Sequence, residues 1–238
     1  GDILRRMNAP QVVISSNEKL ACNIKCGEAT FDIMGMAAED FPEMPTVGSD
    51  RTLKIDGSLL SEMVKGTFFA TAQNEGAKPI LTGINVTVKD SVMQFVAIDG
   101  YRLAIKRENV DISDDFSFIL SGKAVSEAVK LIDENTEEVE MKVGENLISF
   151  NINGYDFISR LLEGEFVNYQ KTIPSAHTQR VVVNTRELID TIERVSLLIS
   201  ESFSTPVRCY FNELNVVFTC ATSMGRAAET FNTQLEGD

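Results

Sequence analysis

Few residues in this sequence have the types and spacing that catalysis or metal binding requires. His177 is the only histidine, which argues against a Ser-His or Cys-His nucleophile system and against a helical pair of zinc ligands. Cys22 and Cys26 stand four residues apart in a strand pattern, which places both on one strand face and favours a reduced structural pair. No glycine-rich phosphate loop is present. The sequence therefore predicts no metal ion, no cofactor and no catalytic residue.

Asp99 is the carboxylate for which a catalytic role is easiest to imagine. It precedes Gly100 between two alternating strand patterns, and the same arrangement recurs at Asn153-Gly154, where NINGYDFISRL matches AIDGYRLAIKR. Both dipeptides are typical of a two-residue type I′ hairpin turn, which needs positive φ at both central positions. We therefore favour a turn role for Asp99, and the other scattered carboxylates indicate a solvated acidic surface.

The elements that position these residues are repeated along the chain. A sequence pattern typical of one strand followed by one helix occurs three times, at residues 53–70, 118–133 and 181–199. The helices are predicted at 58–71, 123–133 and 186–199. A second pattern is shared by residues 3–41 and residues 129–166. The full period is therefore two units, or about 125 residues. This period predicts the C-terminal half of one domain at 1–47, a complete domain at 48–177 and the N-terminal half of a third at 178–238. We expect the first domain to be cut at its start, because its counterpart strand and most of its helix are missing.

Composition narrows the class of protein. A hydrophobic content of 43% allows a substantial core, and short one-sided helices between alternating strands predict an α+β fold. The formal net charge of -13 argues against a general nucleic-acid binder. Four cysteines without a secreted disulfide framework, no signal peptide and no long apolar span predict a cytoplasmic protein.

Residues 96–107, VAIDGYRLAIKR, resemble the signature hairpin of the bacterial sliding clamp, the beta subunit of DNA polymerase III. Ile98, Tyr101 and Val167 stand where that family often has Thr, His and Pro. Further matching stretches follow in the family's order over essentially the whole chain: KPILTGI at 78–84, EDFP at 39–42, LEGEF at 162–166 with Tyr169, and RVSLL at 194–198.

The resemblance implies a DNA-clamp fold of repeated strand-helix-strand units, in which sheets lie outside and helices line a ring. The family subunit has three such domains, so this chain would be truncated at both ends. Two subunits join head to tail as a homodimer around duplex DNA, which they bind topologically and without sequence preference. The implied function is that of a non-catalytic processivity factor in the bacterial cytoplasm, with no membrane association. It tethers the DNA polymerase III alpha subunit, the clamp loader and repair proteins through short peptide motifs.

The resemblance also implies three sets of site residues. The partner-peptide groove would comprise Leu81, Ile98, Gly100, Tyr101, Arg102, Leu103, Val167, Lys171, Thr172 and Phe203. The DNA-facing candidates are Lys65, Lys78, Lys123, Lys130, Arg186 and Arg194, with Lys123 and Lys130 two turns apart on one side of a helix. The dimer interface would join Phe31 and Ile33 to Leu197 and Leu198 of another subunit.

Two alternatives to the clamp remain open at this level. One is a β-rich cytosolic scaffold that binds peptides but never encircles DNA. The other is a hydrolase that depends on the carboxylate of Asp99. A ring-shaped dimer would favour the clamp over both.

Overall fold

The structure is a computed structural model that describes residues 2–8, 11–73, 76–199, 205–233 and 235–236. The chain forms two compact units, residues 1–166 and 167–238. No helix in these ranges is long and apolar enough to cross a membrane.

The first 34 residues contain one small antiparallel sheet. After a short helix α1 (Asp2–Arg5), three strands pair in the order β1-β2-β3. Their bounds are β1 (Val13–Ser16), β2 (Ala21–Cys26) and β3 (Ala29–Met34).

Residues 49–160 contain two copies of one unit, which consists of a strand, a helix and three antiparallel strands. The first copy comprises β4 (Ser49–Asp56), α2 (Gly57–Phe68), β5 (Gly83–Lys89), β6 (Val92–Ile98) and β7 (Leu103–Asn109). The second comprises β8 (Phe116–Ser121), α3 (Gly122–Ala128), β9 (Glu138–Gly144), β10 (Leu147–Ile152) and β11 (Tyr155–Arg160).

The two copies exchange their first strands. One sheet has the order β11-β10-β9-β4 and the other has the order β7-β6-β5-β8, all antiparallel. Each copy thus completes the sheet of the other, and a single hydrophobic core contains residues of both sheets, such as Phe95 and Phe150. Helix α2 adds Leu60, Met63 and Val64 to this core, all essentially without solvent exposure.

The second unit repeats part of this pattern. It contains β12 (Arg180–Val181), α4 (Thr185–Ser196), β13 (Arg208–Phe211), β14 (Asn215–Thr222), β15 (Gly225–Asn232) and β16 (Leu235–Glu236). Three strands pair in the order β13-β14-β15, and β12 pairs with β16. Val195 of α4 packs with Val216, Phe218 and Phe231 of this sheet in a separate core.

The polar residue between the strand and the helix of each repeated pattern caps that helix. Asp56 accepts a hydrogen bond from the backbone N–H of Leu59 at 2.8 Å, and Asn184 accepts from the N–H groups of Arg186 and Glu187. Ser121 makes the equivalent contact with α3. Such caps satisfy N–H groups that have no partner inside the helix, which explains where the three helices begin.

The three predicted helices exist, but each ends earlier than expected. The predicted helix 58–71 ends at Phe68, and the predicted helix 186–199 ends at Ser196. Helix α3 stops at Ala128 and continues only as a short 3-10 segment, Val129–Leu131. Apolar residues continue past these ends, and some of them, such as Ala70 and Ile199, still pack against the core.

Only one of the two predicted type I′ turns is present. Asn153 and Gly154 have φ of 50° and 81° between the paired residues Ile152 and Tyr155, which confirms that turn. The prediction for Asp99-Gly100 is wrong: only Gly100 has positive φ, and Ile98 pairs with Leu103 across a four-residue turn.

Candidate functional site

A cavity of about 460 Å³ lies beside the turn between β6 and β7. It brings together Leu81, Tyr101 and Arg102, three of the residues predicted for a peptide groove. Its lining comprises Ala72, Gln73, Gly76, Ala77, Leu81, Asp99, Tyr101 and Arg102. All eight belong to residues 1–166, so the cavity is a feature of that unit by itself.

The backbone holds Leu81 in place at this cavity. Leu81 lies in a short 3-10 helix, Pro79–Thr82, and its N–H donates to the carbonyl of Lys78 at 2.9 Å. Its own carbonyl accepts from the N–H of Ala72 at 2.8 Å, which ties this helix to the segment after α2. The side chain is half-buried. Leu81 therefore presents a fixed apolar surface that a ligand can cover.

The carboxylate of Asp99 organises the turn on the other side of the cavity. Its Oδ1 accepts from the backbone N–H of Tyr101 at 3.0 Å and of Arg102 at 3.1 Å, and its Oδ2 accepts from Arg102 Nε at 2.9 Å. These contacts explain why the turn is wider than predicted, since an Asx turn forms in place of a type I′ turn.

The same contacts set the proton affinity of this carboxyl. The N–H of Tyr101 has the largest effect and lowers the pKa of Asp99; burial opposes it, and the N–H and guanidinium of Arg102 lower the pKa further, so that the net shift is downward. A carboxylate with a lowered pKa is a poor proton acceptor near neutral pH. The geometry supports the turn interpretation of Asp99 and gives no support to a hydrolase.

Tyr101 is the most exposed of the apolar groove candidates among the residues that the structure describes. Its side chain is 96% exposed, whereas Ile98 and Leu103, paired at the base of the turn, are half-buried. Its counterpart in the second copy of the unit is Tyr155, which is 62% exposed next to the confirmed type I′ turn. The fold itself gains little from the aromatic ring of Tyr101.

The remaining groove candidates do not belong to the unit that contains the cavity. Val167 and Lys171 are exposed, and the hydroxyl of Thr172 donates to the carbonyl of Tyr169 at 2.6 Å. These residues lie in the unit formed by residues 167–238. Phe203 lies outside the described residues. The groove that combines all ten residues stays a prediction.

The predicted DNA-facing residues fall into two groups. Lys65, Lys78 and Lys123 are exposed, and no carboxylate of the described ranges lies within 4.0 Å of their ammonium groups. The others have carboxylate partners: Lys130 pairs with Glu127 at 2.6 Å, Arg186 with Asp190 at 3.0 Å, and Arg194 with Glu229.

Two of the basic positions differ from the expected arrangement. Lys130 is not two α-helical turns from Lys123, because the α-helix ends at Ala128 and Lys130 lies in the 3-10 segment. Arg194 Nε lies 3.0 and 3.2 Å from the two carboxylate oxygens of Glu229, so this guanidinium joins α4 to β15. The contact raises the pKa of Arg194 and lowers that of Glu229.

The predicted interface residues are partly or largely exposed. Phe31 and Ile33 lie two residues apart on one face of β3, and each is about two-fifths exposed. Leu197 is 81% exposed just after α4, whereas Leu198 is half-buried. Strand β3 pairs only with β2 among the described strands, so its other edge is open.

The cysteines form no disulfide in the described part of the chain. Cys22 and Cys26 lie on one face of β2 as expected, and Cys26 is buried. In the same ranges, no group of three or more His, Cys, Asp or Glu side chains is arranged to hold a metal ion.

Sequence patterns missed part of the cavity wall. Ala72 and Gln73 line the cavity. Both follow residue 71, the predicted end of a helix, and neither residue type suggests a binding site. Gln73 is fixed by its side-chain N–H group, which donates to the hydroxyl of Thr71 at 2.7 Å. A contact of this kind depends on where α2 ends, which periodicity does not determine.

Comparison with known proteins gives consistent matches. The family model of the DNA polymerase III beta subunit, central domain, matches residues 54–168. The beta sliding clamp of Bacillus subtilis (strain 168) is 31% identical over 209 residues, which cover 87% of this chain and 55% of that protein. The beta sliding clamp of Staphylococcus epidermidis (strain ATCC 12228) is 28% identical over 233 residues, covering 97% of this chain and 62% of that protein.

Solved structures agree with the sequence matches. A putative DNA polymerase III beta subunit from Eubacterium rectale superimposes with a TM-score of 0.85 at 25% identity, over all of this chain and 65% of that one. The sliding clamp of Bacillus subtilis superimposes with a TM-score of 0.84 at 27% identity, over all of this chain and 63% of that one. These matches confirm the predicted α+β clamp fold. In these four comparisons the chain spans between 55% and 65% of the length of the protein it matches.

Proposed function

Because the chain belongs to the DNA polymerase III beta subunit family, we propose that it acts as part of a sliding clamp. The clamp would encircle duplex DNA and hold a polymerase on its template without catalysing a reaction itself. The observation that carries this proposal is the match to a solved sliding clamp over the whole chain, with a TM-score of 0.84.

The charge distribution supports DNA binding by enclosure and not by affinity. With a net charge of -13, most of the surface repels DNA, so contacts must come from a few local cations. Lys65 of α2, Lys123 of α3 and Lys78, which precedes the 3-10 helix Pro79–Thr82, are exposed and have no carboxylate partner within the described ranges. We propose these three as the principal DNA contacts. Lys130, Arg186 and Arg194 contribute less, because each shares its charge with a carboxylate.

We propose that partners bind through the cavity beside the β6–β7 turn. An extended peptide from the polymerase alpha subunit, the clamp loader or a repair protein would place an apolar side chain against Leu81 and Tyr101. Half-buried Leu81 and exposed Tyr101 provide apolar surface, and Arg102, held by Asp99, provides a charge at a fixed position. Fixed groups bind a flexible peptide better than mobile ones, because less entropy is lost on binding.

Assembly follows from the same family membership. The domain boundaries at 1–47, 48–177 and 178–238 stay a proposal, supported by the central-domain match to residues 54–168. We propose that Phe31 and Ile33 on the open edge of β3 contact Leu197 and Leu198 of a second subunit, giving a homodimeric ring. A cytoplasmic location in a bacterium is part of the same proposal.

Electron microscopy of the gene's full-length product tests this function directly. We expect two-dimensional class averages of a closed ring with a central hole wide enough for duplex DNA. Compact particles without a hole would contradict the clamp and favour the alternative of a peptide-binding scaffold. A hydrolase would instead require activity on a model ester that is lost in Asp99→Asn.

A further inference from the structure

The sequence contains one Asn-Gly dipeptide, Asn153-Gly154, and it lies at the exposed tip of the hairpin formed by β10 and β11. Asparagine followed by glycine is especially prone to spontaneous deamidation, because glycine has no side chain to keep its backbone nitrogen away from the preceding side chain. The structure leaves open space around Gly154, where an added Cβ would meet no atom within 4 Å. Steric hindrance therefore does not protect this dipeptide.

Hydrogen bonds hold the side chain of Asn153 in the folded chain. Its Nδ2 donates to the carbonyl of Leu131 at 3.1 Å and to the hydroxyl of Thr136 at 2.7 Å. Thr136 is itself fixed, because it is buried and bonded twice to Asp133. Its hydroxyl accepts from the Asp133 N–H at 3.0 Å and donates to the Asp133 carboxylate at 2.9 Å. The amide of Asn153 thus ties the hairpin to the loop that follows α3.

We propose that Asn153 is a deamidation site that the folded hairpin protects, and that its modification destabilises the hairpin. The reaction requires the backbone nitrogen of Gly154 to reach Cγ of Asn153. Both hydrogen bonds of Nδ2 must then be lost, because attack on Cγ destroys the planar amide that makes them. The φ angles of 50° and 81° also fix the backbone of the turn. Local opening of the hairpin removes both restraints, so the rate of modification follows the frequency of opening. This modification is separate from the proposed clamp function and does not depend on it.

The chemistry needs only water and a base such as hydroxide. The base removes the proton from the backbone nitrogen of Gly154, and this nitrogen forms a bond to Cγ of Asn153. The bond between Cγ and Nδ2 breaks, and Nδ2 takes up a proton and leaves as ammonia, which gives a cyclic imide. Water then opens the imide at either carbonyl carbon. One opening yields aspartate, and the other yields isoaspartate, in which the main chain runs through Cβ and Cγ.

Neither product fits the place of the amide. A carboxylate at position 153 has no N–H to donate, and the Leu131 carbonyl can only accept. The hydroxyl of Thr136 already donates its proton to Asp133, and this contact is the largest of the causes that lower the pKa of Asp133. A second carboxylate near the ionised Asp133 is repelled. Isoaspartate also lengthens the main chain inside a two-residue turn, next to the fully buried Ile152.

The first copy of the unit shows what a carboxylate at this position requires. Asp99 takes the place of Asn153 there, and it forms a wider turn in which Arg102 donates to its carboxylate at 2.9 Å. In the second copy Asp156 takes the place of Arg102, so a carboxylate at position 153 would face a like charge and no cation. Deamidation should therefore weaken this hairpin, and the loss of ammonia makes the change permanent.

Peptide mapping by mass spectrometry tests the protection. The whole chain is incubated at neutral pH, folded or unfolded in urea, and we expect deamidation of Asn153 to be at least about tenfold slower in the folded chain. Equal rates would overturn the proposal, and this comparison needs no substitution. Thr136→Val removes one acceptor of Nδ2 and should raise the rate in the folded chain about threefold or more. The matched control is Thr67→Val, which loses a buried hydroxyl of α2 that donates to Met63 O. Equal acceleration in both variants would show that only global unfolding matters and would overturn the proposal.

Urea unfolding of Asn153→Asp tests the effect on stability, because this variant carries the aspartate product. The matched control is Asn135→Asp, which adds the same charge to an exposed residue of the neighbouring loop. Asn135 contacts Asp133 through its backbone N–H, which the substitution retains. We expect the urea midpoint of Asn153→Asp to lie below that of Asn135→Asp, and equal midpoints would overturn the proposal.

Discussion

Replacing Tyr101 with alanine should separate partner binding from stability. The side chain is 96% exposed, so its removal leaves the core of residues 49–160 untouched. We expect the free energy of unfolding to change by less than about 0.5 kcal/mol, as is usual for surface substitutions. A bound peptide that covers roughly 80 Å² of the ring would gain about 2 kcal/mol at about 25 cal/mol per Å². The Kd should therefore rise about thirtyfold in Tyr101→Ala.

Fluorescence anisotropy with a labelled Gln-Leu-Ser-Leu-Phe peptide measures this change. Tyr155→Ala is the matched control, because Tyr155 occupies the equivalent position in the second copy of the unit and is also largely exposed. It should bind the peptide as tightly as the unsubstituted chain. Equal affinities for Tyr101→Ala and the unsubstituted chain, or an equal loss in Tyr155→Ala, would refute the placement of the groove at the β6–β7 turn.

Three further predictions concern other parts of the structure. Asn153→Ala should lower the free energy of unfolding, measured in urea, by about 2–4 kcal/mol. The Asn153 side chain donates hydrogen bonds to Leu131 O and Thr136 Oγ1, and asparagine tolerates the positive φ at this position. A loss of stability no larger than that of Asn151→Ala would contradict this prediction. Lys65→Glu with Lys123→Glu should weaken binding to duplex DNA and reduce the slope of log K against log salt by about 2, whereas an undiminished slope would remove both from the DNA surface. The pKa of Asp99 in the folded chain lies below its usual 3.8. The ionised carboxylate should therefore stabilise the folded state fully above pH 3.8, and this stabilisation should be lost as the pH falls through the lowered pKa. The Asp99 carboxyl resonance should titrate below pH 3.8 by NMR, and a midpoint at or above 3.8 would contradict the turn geometry.

The sequence predicted the repeats, the helices and the α+β class because these depend on local periodicity and caps. Asp56, Ser121 and Asn184 occupy equivalent positions in the three strand-helix repeats, and each caps its helix. Asn153-Gly154 was predictable because its two residues alone satisfy the turn. Asp99-Gly100 is a dipeptide equally typical of that turn, yet it forms a different one, since its carboxylate binds two backbone N–H groups and the side chain of Arg102.

The candidate sites were less predictable for a different reason. The exchange of β4 and β8 between the two sheets depends on contacts far apart in the sequence, which no local pattern specifies. The partner of a surface cation is equally non-local: Arg194 looked like any basic residue of a helix, and it binds Glu229 on a strand 35 residues later. Lys65, Lys78 and Lys123 could be separated from the paired cations only once their neighbours were known.

Retention on DNA of different topology tests the central claim most directly. The gene's full-length product would be loaded onto nicked circular DNA by a clamp loader, and the DNA would then be cut once with a restriction enzyme before gel filtration in high salt. A clamp is held by enclosure, so we predict that the protein stays with the circular DNA and leaves after linearisation. Equal retention on both forms, or equal loss from both, would contradict the proposal that this protein is a sliding clamp.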